Sequence, residues 1–154
     1  MASRGGISVT VRNNRISDLI NTLTTNARTQ VEAAATEVRD QASRTAPVDT
    51  GSLRESIYVS VKGGNSDYLE RTAIAKGLNR DVEILEEINP DFVIGLSGSL
   101  GDAVVGVVAA AAGHAIFNEN GTSRMPARPF LRPAALSGED IFTQAMTHIL
   151  DTFR

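Results

Sequence analysis

The sequence predicts an α+β domain: a long N-terminal helix and a C-terminal helix packed on a small, mainly antiparallel β-sheet, with an acidic insertion and a proline-rich arm. Three observations carry this. An apolar stripe repeats at steps of three or four residues from Ile20 to Ala42, the period of one helix face. Several short runs instead alternate or stay apolar over strand lengths, as half-buried and buried strands do. The final segment returns to helical spacing, and helices segregated from short strands read as layers of an α+β fold.

The first element is a strand at Ile7–Arg12, Ile-Ser-Val-Thr-Val-Arg, closed by the turn signal Asn13-Asn14. Ser17 is the expected N-cap of the long helix, with Asp18 set against the helix dipole. The stripe follows through Ile20, Leu23, Ala27, Val31, Ala34, Val38 and Ala42. Pro47 forbids continuation and turns Ala46 away from helical geometry. Val48-Asp49-Thr50-Gly51-Ser52 is a turn, in which Asp49 and Thr50 bond local amides and Gly51 takes a φ closed to other residues. A helical turn near Leu53 then runs into a strand carrying Ile57, Val59 and Val61, broken by Lys62-Gly-Gly-Asn-Ser.

Residues 67–91 carry seven acids and three bases. They predict a solvated surface insertion, or an arm that orders on a partner, spanning 62–91 overall. Val82, Leu85 and Ile88 suit a short amphipathic helix ended by Asn89-Pro90. Strands follow at Phe92–Gly95 and Ala103–Ala112, then a short helix or turn over His114–Asn120. Thr122–Pro133 reads as irregular, with three prolines, three arginines and no acid. Ser137 begins the last helix, with Ile141, Ala145, Ile149 and Phe153 on one face. The whole of 1–154 is expected to be a single domain.

Composition narrows the function classes. The 154 residues include no cysteine, two histidines, no tryptophan and 5% aromatics. Disulfides, thiolate zinc sites and cysteine nucleophiles are excluded, and the core must be assembled from small side chains. A formal charge of −3 argues against duplex nucleic acid as the main ligand, which needs clustered Lys and Arg. No run approaches the roughly 18 apolar residues of a membrane span.

The motifs that imitate enzymes do so weakly. Asp49-Thr50-Gly51 is the triplet of retroviral-type aspartic proteases, in which two aspartates share a proton, and Val93-Ile94-Gly95 resembles their later element. Such enzymes are all-β, whereas here a long helix leads into Pro47. Gly95-x-x-Gly98-x-x-Gly101 lacks the Lys-Ser/Thr of a phosphate loop and reads as a glycine-rich hairpin turn. His114 and Glu119 are off the i, i+4 spacing that converges ligands, and His148 has no carboxylate four residues away. No catalytic residue, cofactor or metal is expected.

Two segments together carry a resemblance. The first is Ala46-Pro47-Val48-Asp49-Thr50-Gly51-Ser52-Leu53-Arg54-Glu55-Ser56-Ile57, directly after the long helix. The second runs from Ile116-Phe117-Asn118-Glu119-Asn120-Gly121-Thr122-Ser123-Arg124-Met125 through Pro126-Ala127-Arg128-Pro129-Phe130-Leu131-Arg132-Pro133-Ala134. This pairing resembles the HK97 gp10-like family of phage proteins, from about residue 17 to the end. Two departures stand out: the 62–91 stretch is longer than in relatives, and His114-Ala115 replaces the aromatic usual before the Glu-x-Gly-Thr motif.

The resemblance implies a structural virion protein, assembled in the host cytoplasm, that completes the tail and joins it to the capsid connector. It implies a homo-oligomeric ring, six-fold, touching a tail terminator or tail tube protein on one side and head-closure or connector proteins on the other. DNA at most passes through the lumen, and no membrane is involved. A tail terminator or a connector subunit is the alternative in the same setting, and a binding module that never enters the particle is one outside it. The implied contact residues are Asp49, Thr50, Gly51, Leu53 and Arg54 from the first motif. The second supplies Glu119, Gly121, Thr122 and Met125, then Pro126, Arg128, Pro129, Phe130, Leu131 and Arg132 in the arm. Prolines preset such an arm, so that little entropy is lost on docking. Phe130 and Leu131 are the expected apolar anchors, Arg128 and Arg132 the carboxylate binders, and the acidic stretch a counterpart on a neighbour. Phe130 and Arg128 are therefore expected to be dispensable for folding and needed for assembly.

Overall fold

The computed structural model describes residues 15–88, 90 and 104–152. The strands expected at Ile7–Arg12 and Phe92–Gly95, the turn at Asn13-Asn14, the glycine-rich hairpin and Phe153 lie outside the described residues. Within them the order is α1 (Ile16–Thr45), α2 (Ser52–Glu55), β1 (Ile57–Val61), α3 (Tyr68–Leu78), β2 (Gly106–Ala110), α4 (Ala115–Asn120) and α5 (Leu131–Thr152). The fold is α+β. Long α1 packs against C-terminal α5 and against a two-stranded antiparallel sheet.

Helix α1 runs for 30 residues and buries Val31, Ala34, Ala35 and Ala42, so the stripe is real but buried only in its second half. Ser17 is not its cap. The helix starts after Arg15 with no side-chain cap bond. The exit matches expectation: Ala46 takes ψ 136° before Pro47, its N–H donating to the Ala42 carbonyl at 2.8 Å.

Strands β1 and β2 pair from Ile57 opposite Ala110 to Val61 opposite Gly106. All five residues of β1 are buried, because the strand is covered on both faces. Val59 and Val61 pack with Val31 and Ala35 of α1. On the other face the Tyr58 ring meets the edge of Tyr68, centroids 5.1 Å apart, and its hydroxyl accepts the Ile88 N–H at 2.7 Å.

The region after β1 differs from the sequence expectation. The helix lies at Tyr68–Leu78, and Val82, Leu85 and Ile88 belong to an extended stretch. Leu85 N–H donates to the Ala111 carbonyl at 2.7 Å, and Gly113 N–H to the Glu83 carbonyl at 2.9 Å, so the stretch lies beside 111–113 like a third strand. Residues 67–88 are fastened to the subunit. Asp67 accepts the Val59 N–H at 2.7 Å and pairs with Arg39 of α1. Arg71 pairs with Glu55 at 3.0 Å and donates to the Ile57 carbonyl at 3.1 Å. Val82 is buried. A free-standing arm would show none of this.

The main core gathers Ala42, Ala46, Ala112, Ala115 and Ala134 around Leu53, Ile57, Val82 and Phe130, the small-residue core the composition required. Helix α5 begins at Leu131, six residues before the expected Ser137. Pro133 does not prevent this, since the amides of a first helical turn need no intrahelical acceptor. Gln41 of α1 donates to Ser137 of α5 at 3.1 Å, and Gly138 leaves room for the Val38 side chain.

Candidate functional site

The Pro47–Leu53 turn is built by its own sequence. Gly51 sits at φ +85°, where an L side chain is strained. The Thr50 hydroxyl lies 2.9 Å from that of buried Ser52 and accepts the Ser52 N–H at 3.4 Å. Asp49 forms no such bond among the described residues, contrary to expectation. One turn of helix then sends Leu53 into the core and Arg54 outward. Ser56 fastens the turn to the far chain: its hydroxyl donates to the Leu53 carbonyl at 2.7 Å and accepts the Ala112 N–H at 3.1 Å. The aspartate therefore lies between two helices, and among the described residues the strand framework that a protease reading requires does not surround it.

The second motif is organised by Glu119. One carboxylate oxygen accepts the N–H groups of Phe130 and Leu131 at 2.8 and 3.0 Å, and the other accepts that of Arg132 at 2.9 Å. These are amides at the head of α5, which α4 thus caps from outside. Burial pushes the Glu119 pKa up, but the three backbone bonds and the charge of Arg132 outweigh it, and the group titrates below the usual carboxylate range. Between Glu119 and α5 the chain makes a tight bend. Gly121 holds φ +74°, and a Cβ there would lie 2.7 Å from the Ala127 nitrogen and 2.9 Å from the Met125 oxygen. Thr122 N–H donates to the Met125 carbonyl at 2.8 Å, and Arg128 N–H to the Asn118 carbonyl at 2.7 Å. Pro126, Arg128 and Pro129 are exposed, Met125 half-buried.

The two motifs meet. A polar cleft of about 410 Å³ has the 47–53 turn as one wall and Asn79, His114, Asn118 and Arg128 as the other. The side chains of Asp49, His114 and Arg128 make no hydrogen bond or ion pair among the described residues. An acid, a base and an imidazole thus face one opening unpaired, able to bond polar groups of an incoming chain. His114 and Asn79 were not expected here. Nothing in their spacing announces it, because they join the cleft only through the turn before α4 and the end of α3.

Not all expected contact residues are available. Leu53 is 4% exposed and Phe130 is 0% exposed, both inside this subunit's core. Phe130, expected as a partner anchor, and Leu53, expected as a contact residue, are both core residues instead. Leu131 is half-buried against the same core, and Gly51 is buried. Asp49, Thr50, Arg54, Thr122, Pro126, Arg128, Pro129 and Arg132 remain on the surface. Among the described residues there is no cluster of three or more metal-ligating side chains, and no helix long and apolar enough to cross a membrane.

The described residues thus form a small alanine-cored domain with a braced surface loop beside a polar cleft. The family model described as "Bacteriophage HK97-gp10, putative tail-component" matches residues 13–121, well over half of the chain. The chain belongs to this HK97-gp10-like family of phage tail components. The match takes in the first motif and ends at Gly121, so the proline-rich loop and α5 lie beyond it. No curated protein and no solved structure matches the chain.

Proposed function

We propose that this tail component forms a ring at the head–tail interface, completing the tail and joining it to the capsid connector. The observation that carries the proposal is the loop 122–130, presented beside the cleft and braced at both ends. Thr122 N–H on the Met125 carbonyl closes its start, while Arg128 N–H on Asn118 and Phe130 N–H on Glu119 fix its exit into α5. A loop held in one shape loses little entropy on docking. Arg128 offers a bidentate fork to a partner carboxylate, and Asp49 across the cleft accepts from a partner cation or amide. A ring subunit needs such a polar, reversible docking point for the terminator or tube on one side and connector proteins on the other. DNA would pass through the lumen without being read, in keeping with a chain of net charge −3.

The test is a phage carrying a nonsense allele of this gene. Electron microscopy of the lysate is expected to show filled heads and finished tails of normal length lying apart, rescued by the wild-type chain supplied in trans. Overlong tails would favour the alternative of a tail terminator. Normally joined particles would overturn both, as would absence of the chain from purified virions by mass spectrometry.

A further inference from the structure

Helix α5 runs back along α1: Gln41 bonds Ser137, and Val38 meets Gly138. Counting outward at equal rise per residue, Thr152 falls beside about residue 24 of α1. The first two turns of α1 therefore project past the described end of its helical partner. They are not polar. Ile16, Leu19 and Ile20 are 63%, 47% and 55% exposed, and with half-buried Leu23 they form one i, i+3, i+4, i+7 stripe.

Helix α5 carries a matching feature. Gly138 meets Val38 of α1, and helical spacing puts Ala134, Ala145 and Ile149 on the same face, with Ile141 there still 38% exposed. A second stripe, Phe142, Met146 and Leu150, lies about 100° further round the helix. Phe142 and Leu150 are 39% and 64% exposed, and Met146 is half-buried. The two stripes are of similar length, about 11 Å for residues 16–23 and about 12 Å for 142–150. Their charges are opposite: Arg15 borders the α1 stripe while Asp18 points to its far side, and Glu139 lies within the α5 stripe.

We propose that the projecting end of α1 docks on the outer stripe of α5 in a second copy of this chain. The contact is head to tail, and this is the contact that closes the ring; in that respect the inference rests on the ring reading above. The α1 end cannot reach its own subunit's stripe, because Ile20 lies about 15 Å along the axis from the level of Met146. A parallel pairing of two α1 ends would set Arg15 against Arg15, whereas the head-to-tail contact, packed parallel with Ile20 level with Met146, brings Arg15 to within about 3 Å along the axis of Glu139. Contacts of that kind join unlike surfaces and form a ring when the rotation between neighbours closes.

The absence of cysteine from the chain gives a clean test. The double variant Ile20→Cys/Met146→Cys, mildly oxidised, is expected to give a ladder of covalent oligomers. Mixed single variants should stop at the dimer, and each single variant alone should stay monomeric. Disulfides need Cα atoms within about 7 Å, so an intrachain bridge is out of reach. Dimers from Ile20→Cys alone would overturn the head-to-tail arrangement. A double variant that stays monomeric both in solution and in purified particles would overturn the surface. If particles contain the chain and are joined but show no cross-link, the surface is wrong and the tail-joining role stands. If the ladder forms but the chain is absent from particles, the role fails and the surface stands. Ile20→Glu, at an exposed position, is expected to abolish the ladder in the cysteine background with circular dichroism and thermal midpoint unchanged.

Discussion

The carboxylate of Glu119 accepts the backbone N–H of Phe130 at 2.8 Å. That one relationship joins the end of α4 to the head of α5 and sets the loop between them. Pro129-Phe130 offers no capping oxygen of its own, so the cap must come from elsewhere in the chain.

Removing the cap has a pH signature. Glu119→Ala is expected to destabilise the fold by about 1–2 kcal/mol at pH 7, and Glu119→Gln by less, since one amide oxygen still accepts. The folded pKa lies below the ordinary value of 4.5, so the charged form contributes stability that is complete above pH 4.5. That contribution shrinks as pH falls toward and through the folded value. Urea denaturation of wild type and Glu119→Gln should therefore differ most near neutrality and converge in acid. An unchanged gap at pH 3 would contradict this.

Phe130 and Arg128, paired by sequence as contact residues, should separate. Phe130→Ala empties a fully buried site and is expected to cost about 3–5 kcal/mol, visible as a lowered thermal midpoint. Arg128→Ala should leave the midpoint within about 0.5 kcal/mol of wild type and reduce the yield of joined particles. If Arg128→Ala joins heads to tails normally, the cleft is not a docking point.

Gly51 and Gly121 both have positive φ but differ in surroundings. A Cβ at Gly51 would meet only Leu78 Cδ1 at 3.5 Å, whereas at Gly121 it would press on backbone. Gly51→Ala is expected to cost about 1–2 kcal/mol from conformation alone. Gly121→Ala should cost more, and it should displace the loop, which amide chemical shifts of residues 122–130 would report.

Asp67 bonds Val59 and Arg39 together, tying α1, β1 and the start of α3. Asp67→Ala leaves a strand amide without its acceptor and Arg39 with Asp40 as its remaining carboxylate, at a cost of about 1–3 kcal/mol. A double-mutant cycle with Arg39→Ala should return a coupling above about 0.5 kcal/mol; additive losses would remove the pair from the fold's support.

What could be read from sequence follows from which force placed each element. Helix α1 was legible from its stripe and from Pro47, and β1 from Ile57, Val59 and Val61. Helix α3 was not, because it buries Thr72 and Ala75 and exposes Leu69, Ile74 and Leu78, the reverse of hydrophobic periodicity. Val82, Leu85 and Ile88 imitated a helix through spacing alone, while tertiary hydrogen bonds to Ala111 and Gly113 drew their stretch out straight. The start of α5 was hidden because its cap comes from Glu119, eleven residues before Phe130. Both walls of the cleft held motif residues visible in sequence, but their meeting, and the share of Asn79 and His114 in it, depends on packing across the chain.

The first half of α1 has a further consequence. Residues 16–30 include none that is buried, while the second half is clasped by sheet and α5. Amide hydrogens along this one helix should therefore exchange on a gradient, fast toward Ile16 and slow toward Ala42. On the proposed docking of α1, such a helix is finished at one end beforehand and annealed at the other by what it meets, so that incorporation itself would be the last step of folding.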